Sequence, residues 1–132
     1  MNTVTKRGLL ALMLSGLCLP ALGLRAEAAG NRQQFIYILR VTPEFRDERN
    51  WTEKQLAVVG RHFERLARSR QVILAGRTTE ALANTFGIVI FVADDAEAAR
   101  KFMEHDPAVI AGLMSATLHP YTVALQREPL AE

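Results

Sequence analysis

Two short apolar runs constrain the fold of this chain more than any other feature of its sequence. They are FIYILRV at residues 35–41 and TFGIVIFVA at residues 85–93. Short runs rich in β-branched and aromatic residues, bounded by polar or turn residues, favour buried strands. We therefore expect both segments to be strands of one sheet.

Two weaker segments complete the predicted sheet. VILA at Val72–Ala75 indicates a second strand, which Gly76 ends, and the polar stretch Arg77–Asn84 joins it to the third strand at hairpin scale. TLHPYTVALQ at Thr117–Gln126 indicates the last strand. Because Pro120 has no N–H for a ladder, this last strand is predicted to lie at an edge of the sheet.

The spacing of apolar residues predicts a helix over Trp51–Arg70. Thr52 followed by Gln55 fits a capping box at its start. A second capping box, Asp94 with Glu97, predicts another helix from residue 95 to about residue 104. The apolar stripe expected to face the sheet from the first helix consists of Leu56, Val59, Phe63, Leu66 and Ala67.

The order of these elements is βαββαβ, which predicts an α+β fold of the ferredoxin-like kind. The expected architecture is an antiparallel four-stranded sheet with two helices on one face, the first and third strands central and the fourth at an edge. The other face would be bare, and a bare apolar face invites a partner. We therefore expect a homodimer, with candidate residues for that face at Tyr37, Ile88, Ile90 and Tyr121.

Residues 1–28 have the pattern of a signal peptide. Lys6 and Arg7 precede the apolar run GLLALMLSGLCLPALGL, and Ala26-Glu27-Ala28 has the small-x-small form of a cleavage site. The alternative is an uncleaved anchor, for which a run this short, broken by a proline, is at the lower limit. We expect cleavage, export to the periplasm or beyond, no membrane anchor afterwards, and a single domain at residues 29–132.

Charge gives the mature domain no nucleic-acid signature. The chain has 16 Lys and Arg against 14 Asp and Glu, and residues 1–28 hold three of the basic and one of the acidic side chains. The rest therefore balances at 13 of each, whereas nucleic-acid binders concentrate positive charge on one face. The single cysteine, Cys18, lies in the signal segment, so the mature domain is expected to lack a thiol.

Three histidines, His62, His105 and His119, are the candidates for chemistry. No HxxxH or HxH spacing is present, so no metal or other cofactor is expected. His62 lies on the flank of the first predicted helix, where a histidine that merely packs at the boundary is common. Asp106 precedes a proline, a position at which an aspartate often only starts a turn.

The ordered set of segments resembles the YCII-related domain family over about residues 35–126. The set comprises His62 on the first helix, Ala75-Gly76 after the second strand, GIVIFVADDAEAARKFMEHDPAVIAG at residues 87–112, and LHPY at residues 118–121. The chain departs from the family pattern in two places. An ungapped match puts Val59 at the histidine position, and Arg77 stands where many members have proline.

The resemblance implies a ferredoxin-like dimer and an active site made of a His–Asp pair, here His62 and Asp106. In such a pair the carboxylate would orient the imidazole and leave its other nitrogen to move a proton. Arg77 either anchors an acidic substrate or is a solvated loop residue. Two hypotheses follow: a small-molecule enzyme of the isomerase or lyase type, or a non-catalytic dimeric module that binds or senses a small ligand.

Overall fold

A computed structural model describes residues 31–128, so the expected signal segment and its cleavage site lie outside the described residues. Over this range no helix combines the length and apolar character that a bilayer crossing requires. The strands are β1 (Gln33–Val41), β2 (Val72–Arg77), β3 (Phe86–Ala93) and β4 (Met114–Pro120). The helices are α1 (Glu53–Arg68), α2 (Ala96–Glu104) and the short α3 (Pro107–Ile110).

The strands form one antiparallel sheet in the order β2-β3-β1-β4. This order confirms the α+β, ferredoxin-like prediction, with β1 and β3 central and β4 at an edge. The apolar runs that predicted the two central strands lie within one residue of the observed bounds of β3 and two residues of those of β1.

The core lies between one face of the sheet and the helices. Alternate residues of the two central strands, Phe35, Tyr37 and Leu39 on β1 and Val89 and Phe91 on β3, are almost fully buried there. Leu66 of α1 and Ala99 and Met103 of α2 pack against them. Phe91 stacks on the half-buried Phe102 at a centroid distance of 4.7 Å, which ties α2 to the sheet.

The prediction for the bare face was right at two positions and wrong at two. Ile88 and Ile90 pair with Ile38 and Ile36 and point away from the helices. Tyr37 instead faces the helices and is fully buried, because the residues on either side of it in β1 are the ones that point outward. Tyr121 follows the end of β4, so it is not part of the sheet.

The apolar stripe predicted for α1 is rotated from the face that the helix buries. The buried residues are Val58, His62 and Leu66, which are spaced four apart and so lie in one row. Leu56 is 61% exposed and Phe63 is 49% exposed. The capping box of Thr52 and Gln55 is confirmed.

The second helix is capped by Asp95 and not, as predicted, by Asp94. The Asp95 carboxylate accepts a 2.8 Å hydrogen bond from the Ala98 amide, which leaves no role for a box with Glu97. Asp94 is exposed and lies 3.9 Å from the Arg32 guanidinium.

The last strand begins three residues earlier than predicted and ends at Pro120. Gly112, at φ +67°, closes the turn after α3, and a glycine adopts that conformation without strain. The chain therefore enters the sheet at Met114, which pairs with Val41. Residues 121–128 continue without strand pairing of their own.

Candidate functional site

Helix α1 presents His62 to the interior because its neighbours in the buried row anchor the helix at two points. Val58, one turn before, packs against Ala108 and Leu113 near α3. Leu66, one turn after, packs into the main core. His62 lies between these two contacts and is 5% exposed.

Asp106 reaches the same place from the start of α3. It is the N-cap of that helix, and its Oδ1 accepts a 2.9 Å hydrogen bond from the Ala108 amide. Pro107 occupies the first helical position, where the missing N–H costs nothing. The turn predicted from the Asp-Pro pair is therefore present, and it aims a fully buried carboxylate at α1.

The two side chains are hydrogen-bonded. His62 Nδ1 lies 2.8 Å from both Oδ1 and Oδ2 of Asp106. An ionised carboxylate only accepts, so Nδ1 carries the hydrogen and donates it. In the neutral ring Nε2 then bears a free lone pair, and no group within residues 31–128 hydrogen-bonds to it.

The surroundings of Asp106 favour its ionised form. Burial alone raises the pKa of this carboxyl, but the hydrogen bonds from His62, Tyr37 and the Ala108 amide outweigh burial and hold the pKa below its usual range. The carboxylate is thus charged at neutral pH. A charged acceptor fixes the orientation of the His62 ring more firmly than a neutral one.

Tyr37 is a third member of this group that the sequence did not indicate. Its hydroxyl donates a 2.7 Å hydrogen bond to Asp106 Oδ2. Burial raises the pKa of Tyr37, and the neighbouring Asp106 charge raises it further, so the phenol stays protonated and remains a donor. Its position in β1 makes the central strand a support for the dyad.

A cavity of about 290 Å³ opens beside His62, between α1 and the β2–β3 side of the sheet. It exists because α1 leaves β2 uncovered, so that Ala75 on the helix-facing side of β2 is exposed. Apolar side chains make up most of the wall: Leu39, Val41, Leu56, Val59, Phe63, Leu82 and Met114. The exposed apolar residues of α1 therefore line a cavity instead of packing against the sheet.

Arg77 lines this cavity and is exposed. It is the last residue of β2 and pairs with Gly87. Within residues 31–128 its guanidinium has no ion pair and no hydrogen bond. The structure thus places Arg77 in the wall of the candidate site. A substrate-binding role for it stays a prediction.

The other two histidines lie elsewhere. His105 caps α2, with its Nδ1 2.6 Å from the Lys101 carbonyl oxygen, and His119 is exposed on β4. Over the described range no three His, Cys, Asp or Glu side chains come close enough to hold a metal ion together. Val59 lines the cavity, whereas His62 hydrogen-bonds to Asp106, so His62 is the residue that forms the pair.

Comparison with solved structures finds similar proteins at low sequence identity. MtbAldR is 15% identical at a TM-score of 0.50, with 74% of this chain and 58% of MtbAldR covered, so this chain spans little more than half of that protein. SnoaB, a cofactor-independent oxygenase from Streptomyces nogalater, is 20% identical at a TM-score of 0.40, with 76% of this chain and 98% of SnoaB covered. No curated protein matches the chain.

A protein-family model matches most of the described range. The model is that of the YCII-related domain, and the match runs over residues 35–118, from β1 to β4. It takes in both His62 and Asp106 and so agrees with the resemblance that the sequence motifs indicated. The chain belongs to the YCII-related domain family.

Proposed function

We propose that this protein is a small-molecule enzyme of the isomerase or lyase type, in which His62 transfers a proton and Asp106 orients it. The observation that carries the proposal is the 2.8 Å bond between His62 Nδ1 and the Asp106 carboxylate, beside an apolar cavity. That bond leaves Nε2 as the only ring nitrogen able to accept a proton from a ligand.

The proposed step is a proton transfer next to a carbonyl group. Nε2 removes a proton from the carbon beside the carbonyl, the C–H electron pair becomes a C=C bond, and the carbonyl π pair moves to oxygen. In an isomerisation the same proton returns from Nε2 to a different carbon and the carbonyl re-forms, so no atoms or electrons are gained or lost. In an elimination the C=C bond forms as a leaving group departs, and that group takes the proton.

Asp106 supports this step by stabilising the charged ring. When Nε2 takes a proton the imidazole becomes a cation, and the adjacent carboxylate offsets that charge. Burial strengthens the interaction because little water screens it. Within residues 31–128 no serine or threonine hydroxyl bonds to His62, so the proposal uses no covalent nucleophile.

The test is deuterium incorporation into a panel of small cyclic ketones and unsaturated lactones in D₂O, followed by proton NMR. The mature protein should accelerate exchange of the hydrogen beside the carbonyl in at least one compound. His62→Gln should lower that rate by about 10²–10⁴-fold, the usual contribution of a general acid or base. His119→Gln, which changes an exposed histidine outside the site, should leave the rate unchanged.

Two results would reject the catalytic proposal. One is that no compound in the panel exchanges, and the other is that His62→Gln exchanges as fast as the natural protein. Ligand binding without exchange would instead support the alternative, a non-catalytic module that binds or senses a small molecule. The apolar wall of the cavity favours retention of a ligand in either case.

The proposal includes a homodimer that covers the bare face of the sheet. On that face Ile36, Ile38 and Ile88 are only partly buried, Leu74 is 52% exposed, and no helix of the described residues packs against them. This apolar surface supports the proposal that a second copy of the chain packs against the bare face. Light scattering should give twice the mass of the mature chain, and a monomer at micromolar concentration would contradict the proposal.

Export is the remaining part of the proposal, and its support is the sequence pattern of residues 1–28. The full chain, expressed in a bacterium with a general secretion pathway, should appear outside the cytoplasm. Its intact mass should match a protein that begins at Ala29. A cytoplasmic product that retains residues 1–28 would contradict this part alone.

A further inference from the structure

We infer that the cavity beside His62 takes a small cyclic compound with one carboxylate, whose ring lies against the apolar wall and whose charge lies at Arg77. This inference rests on the proposed function only for the identity of the reacting nitrogen. It adds the substrate class, and it concerns binding, which is measurable whether or not the site is catalytic.

The first support is the set of polar side chains in the cavity wall, which are Trp51, His62, Arg77 and Thr85. Two of them already donate hydrogen bonds to backbone carbonyl oxygens. Trp51 Nε1 donates to the Phe45 carbonyl at 2.6 Å, and the Thr85 hydroxyl donates to the Thr78 carbonyl at 2.8 Å. What remains for a ligand is one basic nitrogen, on His62, and one cation, on Arg77.

The second support is the position of Arg77 in the sheet. The register places Leu39, Gly87 and Arg77 in one row across β1, β3 and β2, on the face that bears the helices. Because Gly87 has no side chain, the middle of this row leaves space for a ligand in the cavity. Arg77 occupies the outer position of this row, on the edge strand β2, and is exposed. Within residues 31–128 its guanidinium has no acidic partner.

The third support is the size and lining of the cavity. An apolar cavity of about 150 Å³ holds a benzene molecule, so 290 Å³ holds a six-membered ring with a short substituent. Because the wall is otherwise apolar, a second charged group on the ligand would be buried unpaired, at a cost of several kcal/mol. A ligand with one ring and one carboxylate therefore matches the apolar wall and the single cation of the cavity.

The test uses Trp51, the single tryptophan of the chain, as a reporter, because it lines the cavity. Its fluorescence is followed during titration with cyclohexanecarboxylate, cyclohexanecarboxamide and acetate. The carboxylate and the amide share shape but differ in charge, and acetate carries the charge without the ring. The carboxylate should bind at least about tenfold more tightly than the amide, which corresponds to about 1.4 kcal/mol, and acetate should bind more weakly than either ring compound.

Variants separate the contribution of charge from that of shape. Arg77→Gln should abolish the preference for the carboxylate while the amide binds as before. Arg100→Gln removes an exposed arginine on α2 that is not part of the cavity wall, and it should keep the preference. Gly87→Val should weaken both ring compounds, since a Cβ there meets Leu39 at an ordinary 3.5 Å and larger atoms enter the cavity. Ala75→Leu fills the same cavity from an exposed position and serves if Gly87→Val does not fold.

Three results would overturn the inference: equal affinity for carboxylate and amide, a preference that survives Arg77→Gln, or no binding of either ring compound at millimolar concentration. These results are distinct from failure of the catalytic proposal. Tight carboxylate binding without deuterium exchange supports the substrate class and rejects catalysis. Deuterium exchange without a preference for the carboxylate supports catalysis and rejects the substrate class.

Discussion

The hydroxyl group of Tyr37 donates a 2.7 Å hydrogen bond to the Asp106 carboxylate, which also accepts from His62. The residues of this group come from β1, α1 and the start of α3, and the tyrosine is 69 positions away from the aspartate in the chain. The central strand thus holds in place the side chain that orients the imidazole. The site is built into the core of the domain and is not carried by a loop.

Tyr37→Phe should destabilise the domain although it keeps the ring. Tyr37 is fully buried, so the variant preserves the packing and removes only the hydrogen bond to a charged acceptor. We expect the free energy of unfolding to fall by about 1.5–3 kcal/mol in urea denaturation. Tyr121→Phe, at an exposed tyrosine, is the matched control and should stay within about 0.5 kcal/mol of the natural protein. Equal stability of the two variants would show that the Tyr37 bond contributes nothing.

Stability should fall in acid because of Asp106. Its folded pKa lies below the usual value for an aspartate, so its contribution is fully present above about pH 4 and is lost as the pH falls through the folded pKa. In Asp106→Asn that contribution is absent at every pH. The difference in unfolding free energy between the natural protein and this variant should therefore be about 1–3 kcal/mol at pH 7 and shrink below about pH 4.

The control for the acid experiment is Asp94→Asn, since Asp94 is exposed and has only a distant arginine partner. This change should stay within about 0.5 kcal/mol of the natural protein at all pH values. A difference between the natural protein and Asp106→Asn that does not change on acidification would mean that the carboxylate is not stabilised in its charged form.

Two leucines of α1 test which face of the helix is buried. Leu66→Ala should cost about 2–5 kcal/mol because it empties a well-packed position, and Leu66 is 5% exposed in the core. Leu56→Ala should cost much less, since Leu56 lines the open cavity and is 61% exposed. Thermal or urea unfolding gives both values. Comparable losses from the two changes would support the stripe predicted from the sequence instead of the observed one.

Residue patterns predicted most of the fold and little of how the site is held together. The apolar runs of the four strands, the pattern of the two predicted helices and Pro120 together predicted the element order and the edge strand. They could not give the side of the sheet on which Tyr37 lies, because residues 35–39 are apolar or aromatic at every position. The alternation that would assign a face is missing from such a run.

The rotated stripe on α1 has a different cause. Leu56 and Phe63 are apolar, as core residues are, but their function in the structure is to line a cavity. His62 is polar, yet it is buried because Asp106 satisfies its Nδ1. That partner is 44 residues away, so hydrophobic periodicity cannot reveal it. Only the family resemblance indicated that His62 and Asp106 would meet.

The central claim is that Asp106 holds the hydrogen of His62 on Nδ1 and leaves Nε2 free for a ligand. Nitrogen-15 NMR of the imidazole rings measures this directly, because a protonated and an unprotonated ring nitrogen resonate far apart. At a pH where the ring is neutral, we predict the Nδ1–H tautomer for His62 in the natural protein and its loss in Asp106→Asn, with His119 unchanged. A His62 ring with its hydrogen on Nε2, or a tautomer that does not respond to Asp106→Asn, would contradict the account.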